Sequence, residues 1–182
     1  MSLKRKNQPP VEETINKKQN VLSKNKKEPL FTINETMKGL INFIDIYDIN
    51  KNIKHQTEFI IQNSYDLINE VYNNHSLIFD LELKQFLIIT NCLHNVFIKQ
   101  KSYKVLVEFN EKLFNIYNRM NKNILKFECY YNIIHLNLTM GNLEVCKEML
   151  KNFNKHVKLK DVSIRYDNEL QTLKNKIYKI DM

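Results

Sequence analysis

The residues best suited to binding chemistry form a line near the C-terminal end of the sequence. Lys147, Lys151 and Lys155 recur every four residues, a spacing that places them on one face of an α-helix. Lys158 and Lys160 follow directly. Such a line of amines can contact the phosphates of a nucleic-acid backbone, where each neutralised phosphate releases counterions. The alternative interpretation is a solvated lysine face without a ligand.

A second group of basic residues lies in the first 30 positions. Its members are Lys4, Arg5, Lys6, Lys17, Lys18, Lys24, Lys26 and Lys27. The net charge of +8 is distributed unevenly, with +5 in residues 1–30, −1 in 31–146 and +4 in 147–182. Two basic ends around a neutral middle indicate an anionic partner, although lysine enrichment from an AT-rich genome is an alternative explanation. The gap between Lys6 and Lys17 also fits a bipartite nuclear-import signal.

Residue sets for catalysis or metal binding are missing from the sequence. Phosphate-cradling loops need clustered glycines, and this chain has only Gly39 and Gly141. The side chains of Cys92 and His94 leave a helix in different directions, and so do those of the more widely spaced Cys129 and His135. Neither pair is therefore suited to binding zinc. The three cysteines, at 92, 129 and 146, are odd in number and lie in apolar runs, which is typical of reduced, buried thiols. We therefore predict a protein that is not an enzyme, with no metal, no cofactor and no small-molecule substrate.

The elements that must position these lysines are predicted to be helices. Residues 1–30 lack hydrophobic periodicity and are predicted to form a basic, disordered tail, whereas residues 31–182 form a helical-repeat domain. The first helix is predicted to begin at Thr32, where Thr32 and Glu35 form a capping box. The other predicted helices span about 51–72, 77–98, 103–120, 124–140 and 143–156, and a seventh starts at 161. Gly141, between the fifth and sixth predicted helices, suits a left-handed C′ position.

The predicted fold class is all-α, built from antiparallel helical hairpins as an α-solenoid or an irregular bundle of about seven helices. The predicted core residues lie on the apolar faces of these helices and are Phe86, Ile89, Leu93, Phe97, Leu106, Leu113, Ile133 and Cys146. The uncharged stretch 85–98 is too short to span a bilayer. We therefore expect no membrane contact and a cytoplasmic location, with nuclear import left open.

The segment 130–150 resembles a tetratricopeptide repeat. Tyr130 takes the large aromatic position, Ile133 the next apolar position, Gly141 the turn and Cys146 the small residue where helices touch. The resembling unit covers about residues 122–156. Placing Lys101 opposite Gly141 gives a weaker copy at about 76–119 and a period of 40 residues. The resemblance implies a stack of helical hairpins that binds partners along a concave face without catalysis.

Two functional hypotheses follow from these features. The first is a helical-repeat protein bound to a large ribonucleoprotein, the ribosome above all, with the basic tail and sixth helix on rRNA and the body on ribosomal proteins. Such a protein could act in translation control, dormancy or assembly. The alternative is a protein–protein adaptor or a structural subunit of a multisubunit complex such as a proteasome regulatory particle.

Overall fold

The protein is described here by a computed structural model that covers residues 11–47, 51, 53–156 and 164–179; at 11–28, 154, 156 and 164–166 it describes the backbone alone. This part of the chain forms seven α-helices and one short 3-10 turn at His75–Leu77, and it contains no strand. The helices are α1 (Val11–Ile46), α2 (Lys54–Asn73), α3 (Asp80–Lys99), α4 (Tyr103–Arg119), α5 (Asn123–Thr139), α6 (Leu143–His156) and α7 (Ile164–Lys179). The prediction of an all-α fold of about seven helices is confirmed.

Helix α1 is longer than the sequence analysis predicted. It begins at Val11 instead of Thr32 and runs for 36 residues, with Pro29 inside it. The predicted helix start is wrong because residues 11–28 contain neither Gly nor Pro, and a helix already formed elongates by one hydrogen bond per residue without a second nucleation. The division into a basic, disordered tail (residues 1–30) and a helical-repeat domain (residues 31–182) stays a prediction, and residues 1–10 lie outside the described residues.

The turns that connect α3 to α6 share one geometry. Lys101, Asn121 and Gly141 each have a left-handed backbone, with φ of 55°, 55° and 79°. At each turn this residue donates its amide to a carbonyl three positions back, and the next residue donates to a carbonyl five positions back. These are the two hydrogen bonds of a Schellman motif. The turns repeat every 20 residues, and Lys101 and Gly141, aligned in the sequence, share a conformation. Membership of the tetratricopeptide family stays a prediction.

The buried positions recur with the same 20-residue spacing. Leu93, Leu113, Ile133 and Phe153 occupy the same place in α3, α4, α5 and α6, and all are at most 5% exposed. The equal turns, spaced 20 residues apart, produce this regularity, because each turn restarts the next helix in the same rotational phase. All eight core residues predicted from the sequence are buried. The described ends of α2 to α6 also fall within three residues of the predicted ends.

The hydrophobic core consists of two clusters. The larger cluster joins α1 to α5, and the smaller one joins α5, α6 and α7. Helix α4 packs most extensively against α5, and the half-buried ring of Phe114 contacts both clusters. Helix α1 packs against both α2 and α3, whereas α3 and α5 make few direct contacts. Among the grooves in the described part of the chain, one lies between α6 and α7 and another between α3 and α5.

Candidate phosphate-binding groove and a second pocket

The apolar face of α6 fixes the direction of its lysines. Cys146, Leu150 and Phe153 are buried in the smaller cluster. Because these residues hold one face of α6 against α5 and α7, the residues one or two positions further along lie on another side of the helix. Lys151 and Lys155 are exposed there. The sequence-predicted line of lysines therefore exists on the surface of α6.

The lysine line forms one wall of an open groove between α6 and α7. The groove has a volume of about 1020 Å³. Lys147, Lys151 and Lys155 line it from α6, while Lys174 and Tyr178 line it from α7. Helix α7 is held in place by its buried residues, which are Leu170, Leu173 and Ile177. A fourth lysine, Lys174, therefore lies across the groove from the predicted three, although up to 27 positions separate it from them in the sequence.

Acidic residues reduce the positive charge of this groove. Glu144 and Glu148 also line it, so four lysines and two glutamates leave a formal charge of +2. The ammonium of Lys147 lies 3.0 Å from the Glu144 carboxylate, and its side chain is only 26% exposed. Lys147 is therefore engaged within the protein. Lys151, Lys155 and Lys174 remain as the main candidates for contact with an anionic ligand.

The other basic residues predicted as phosphate contacts are not brought into this groove by the described structure. Helix α1 contains five of them, whose side chains the structure does not describe: Lys17, Lys18, Lys24, Lys26 and Lys27. The remaining predicted contacts lie outside the described residues, and these are Lys4, Arg5, Lys6, Lys158 and Lys160. Of the thirteen predicted positions, the structure places three beside one another.

A smaller pocket, which the sequence analysis did not predict, lies between α3 and α5 with α4 as its floor. Its volume is about 50 Å³. The polar residues that line it are Thr90, Asn91 and His94 from α3, Asn110 and Tyr117 from α4, and Glu128, Cys129 and Asn132 from α5. Apolar side chains complete the lining, among them Phe109 and Leu113. Among the described residues, no lysine or arginine lines this pocket.

The pocket contains a cysteine and a histidine, the pair used in nucleophilic catalysis. Burial raises the pKa of the Cys129 thiol, and the neighbouring Glu128 carboxylate raises it further. Burial lowers the pKa of His94. Both shifts favour the neutral thiol and the neutral imidazole, whereas a reactive cysteine requires its thiolate. The pocket therefore offers hydrogen-bonding groups and one carboxylate in place of an activated nucleophile.

Two further features bear on function within the described parts of the chain. None of the helices there combines the length and the apolar character that crossing a bilayer requires. Nor do three or more metal-ligating side chains converge anywhere among the described residues. The three cysteines are unpaired; Cys129 and Cys146 are buried, and Cys92 is half-buried.

Comparison with known proteins identifies no relative of this chain. No family model, no curated protein and no solved structure matches it. The geometry of the α6–α7 groove and of the pocket between α3 and α5 is therefore the basis for inferring a function.

Proposed function

We propose that this protein is a non-catalytic helical array that binds a large ribonucleoprotein, with the α6–α7 groove contacting RNA phosphates. The observation that carries the proposal is the meeting of Lys151 and Lys155 from α6 with Lys174 from α7 along one open groove. Lysine ammonium groups are strongly hydrated point charges that bind phosphate without demanding a fixed geometry. A groove lined by them suits the backbone of RNA in preference to its bases.

The ribosome is the ribonucleoprotein that we favour, with rRNA in the groove and ribosomal proteins against the helical body. Roles in translation control, dormancy or assembly are all consistent with such a contact. The basic N-terminal residues would extend the phosphate contact from the other end of the chain. Because α1 starts at Val11, deletion of residues 1–10 removes Lys4, Arg5 and Lys6 without shortening a described helix.

The test is the salt dependence of binding to purified ribosomes. The groove variant replaces Lys151, Lys155 and Lys174 with Gln, which removes charge and keeps helix propensity. We expect the slope of log affinity against log salt to fall by about three units, or somewhat less on structured RNA. The matched control replaces Lys54, Lys84 and Lys104, which are exposed on other helices, with Gln. The slope for this control should stay steeper than the slope for the groove variant.

Equal slopes for the groove variant and the control variant would refute the groove as the phosphate contact. Loss of Lys147 alone should have a smaller effect than loss of Lys151, because Glu144 already pairs with Lys147 at 3.0 Å. That ranking separates contact through this groove from attraction by net charge, since both single variants remove one positive charge.

A protein–protein adaptor, or a subunit of an assembly such as a proteasome regulatory particle, is the second candidate. Exposed apolar side chains at the ends of the helices favour it: Phe79 and Leu81 at the start of α3 are 66% and 67% exposed. Single exposed apolar residues are common on soluble proteins, so this support is weaker. Salt-resistant co-sedimentation with a particle free of RNA would favour the adaptor.

A further inference from the structure

One aromatic ring in the α6–α7 groove takes no part in the hydrophobic core. Tyr178 lines the groove from α7, and its side chain is 53% exposed. Every other tyrosine whose side chain the structure describes belongs to one of the two core clusters or packs against it. The fold therefore leaves a face of the Tyr178 ring available to a ligand in the groove.

Positive charges lie on both sides of this ring. Lys174 precedes Tyr178 by four residues on α7, a spacing that puts the two side chains on one face, about 6 Å apart along the helix axis. Lys151 and Lys155 line the opposite wall of the groove from α6. Lys151, Lys155 and Lys174 are called the groove lysines below. A row of phosphates that contacts the groove lysines therefore passes beside the tyrosine ring.

An aromatic ring beside phosphate-binding lysines is suited to a nucleobase. Every base has a π-face, so stacking on an aromatic side chain adds affinity without demanding a particular sequence. Only unpaired bases can be splayed out onto a side chain, because the bases of a double helix already stack on one another. The Tyr178 ring therefore favours a loop, a bulge or a single-stranded end over a duplex.

The dimensions of the groove favour the same kind of RNA. Helices that pack side by side have axes roughly 8–10 Å apart, and α6 and α7 share the smaller core cluster. The cleft between them is therefore narrower than a double helix. Its volume of about 1020 Å³ nevertheless matches the upper end of the roughly 300–1,000 Å³ found for sites that hold drug-sized molecules. A single strand can enter this cleft, whereas a duplex would contact only its rim.

We propose that the α6–α7 groove binds unpaired RNA, with one base stacked on the ring of Tyr178 and the adjacent phosphates on the groove lysines. This inference rests on the proposed function, because it requires that the groove contact RNA phosphates. It adds that the groove selects RNA by its lack of base pairing and reads no sequence.

The experiment measures the fluorescence anisotropy of labelled RNA probes with the full chain at low salt. The first probe is an oligouridylate of roughly eight nucleotides, within the site sizes of single-strand-binding domains. The second is an abasic strand of the same length, which keeps the phosphates and lacks the bases. The third is the oligouridylate paired with oligoadenylate. We expect the oligouridylate to bind more tightly than the abasic strand and the duplex.

Variants assign the preference to the tyrosine ring. Tyr178→Leu removes the ring and should weaken oligouridylate binding by about tenfold, which lies within the contribution of one stacked base. It should leave binding of the abasic strand unchanged, because the groove lysines remain. Tyr178→Phe keeps the ring and should bind like wild type. The matched control is Phe31→Leu, which removes a 68% exposed ring on α1 that does not line the groove and should also bind like wild type.

The outcomes separate a failure of this inference from a failure of the proposed function. Equal affinities for the three probes, together with an unchanged affinity in Tyr178→Leu, would overturn base stacking and leave the groove as a phosphate contact. An equal loss in Tyr178→Leu and Tyr178→Phe would assign the effect to the hydroxyl group and overturn stacking as well. If none of the probes binds, or if replacing the groove lysines with Gln leaves all three affinities unchanged, both the inference and the proposed function are refuted.

Discussion

The two glycines should respond to the same substitution with opposite signs. Gly39 lies inside α1, and Gly141 occupies the left-handed turn between α5 and α6. A Cβ atom built at either position meets nothing within 4 Å. Steric contact is therefore absent from both comparisons, and backbone conformation alone determines the sign of the change in the free energy of unfolding.

The magnitudes follow from that conformation. Gly39→Ala should stabilise the protein by ~0.5–1 kcal/mol, because Gly loses more backbone entropy in a helix than Ala does. At Gly141, with φ of 79°, a side chain costs ~1–2 kcal/mol in the left-handed region. The reduced freedom of the unfolded chain offsets ~0.4–1 kcal/mol of this. Gly141→Ala should therefore destabilise the protein by a net ~1 kcal/mol.

Differential scanning calorimetry of the two variants provides the assay. For a protein of this size, 1 kcal/mol shifts the melting temperature by roughly 2–4 °C, so the two variants should melt on opposite sides of wild type. The reciprocal change, Lys101→Gly, should raise the melting temperature, because Lys101 holds the same left-handed conformation with φ of 55°. If Gly141→Ala melts at or above wild type, or Lys101→Gly melts below it, the repeated turn geometry is wrong.

Three further predictions test the core, the pocket and α1. Phe97→Ala should cost ~3–5 kcal/mol in urea unfolding, because Phe97 is 3% exposed; Ile98→Ala, at a 43% exposed position, should cost far less. Since burial lowers the His94 pKa below its ordinary 6.5, the unfolded state binds the proton first, so wild type should lose stability as pH falls through 6.5. His94→Gln should lessen that loss, and exposed His55→Gln should not. Pro29→Ala should increase helical circular dichroism and stability, by up to ~3 kcal/mol, if α1 is continuous.

Hydrophobic periodicity was sufficient to predict most of the fold. The apolar positions of α3 to α6 recur at helical spacing, and their breaks contain residues that favour turns. Gly141 was readable because glycine adopts positive φ without strain. Lys101 and Asn121 were harder to identify as turn residues, since a lysine at positive φ is uncommon and is set here by the packing of the flanking helices.

The candidate sites were less predictable because each depends on contacts between distant segments. Lys151 and Lys155 share one helix, so their spacing alone places them together. Lys174 joins them only through the packing of α7, and no local pattern indicates this. Likewise, His94 and Cys129 meet across a pocket whose existence depends on how far α3 stands from α5.

The start of α1 was missed for a related reason. Composition alone describes a segment such as 11–28 as if it were an isolated peptide, which would be marginally helical at best. In the folded chain it continues from a helix whose later residues, Ile33, Met37 and Leu40, are buried against neighbours. The packed part supplies the nucleus that the polar part lacks.

The division of the core into two clusters has a consequence for hydrogen exchange. The smaller cluster, at the C-terminal end, contains most of what holds α6 and α7, and it joins the rest through α5 and the ring of Phe114. Such a unit can open locally at a lower free energy than global unfolding. Amides of α6 and α7 should then exchange faster than those of α3 and α4. Because the lysine groove exists only while this unit is closed, a polyanion bound there would selectively slow exchange in the last two helices by mass action.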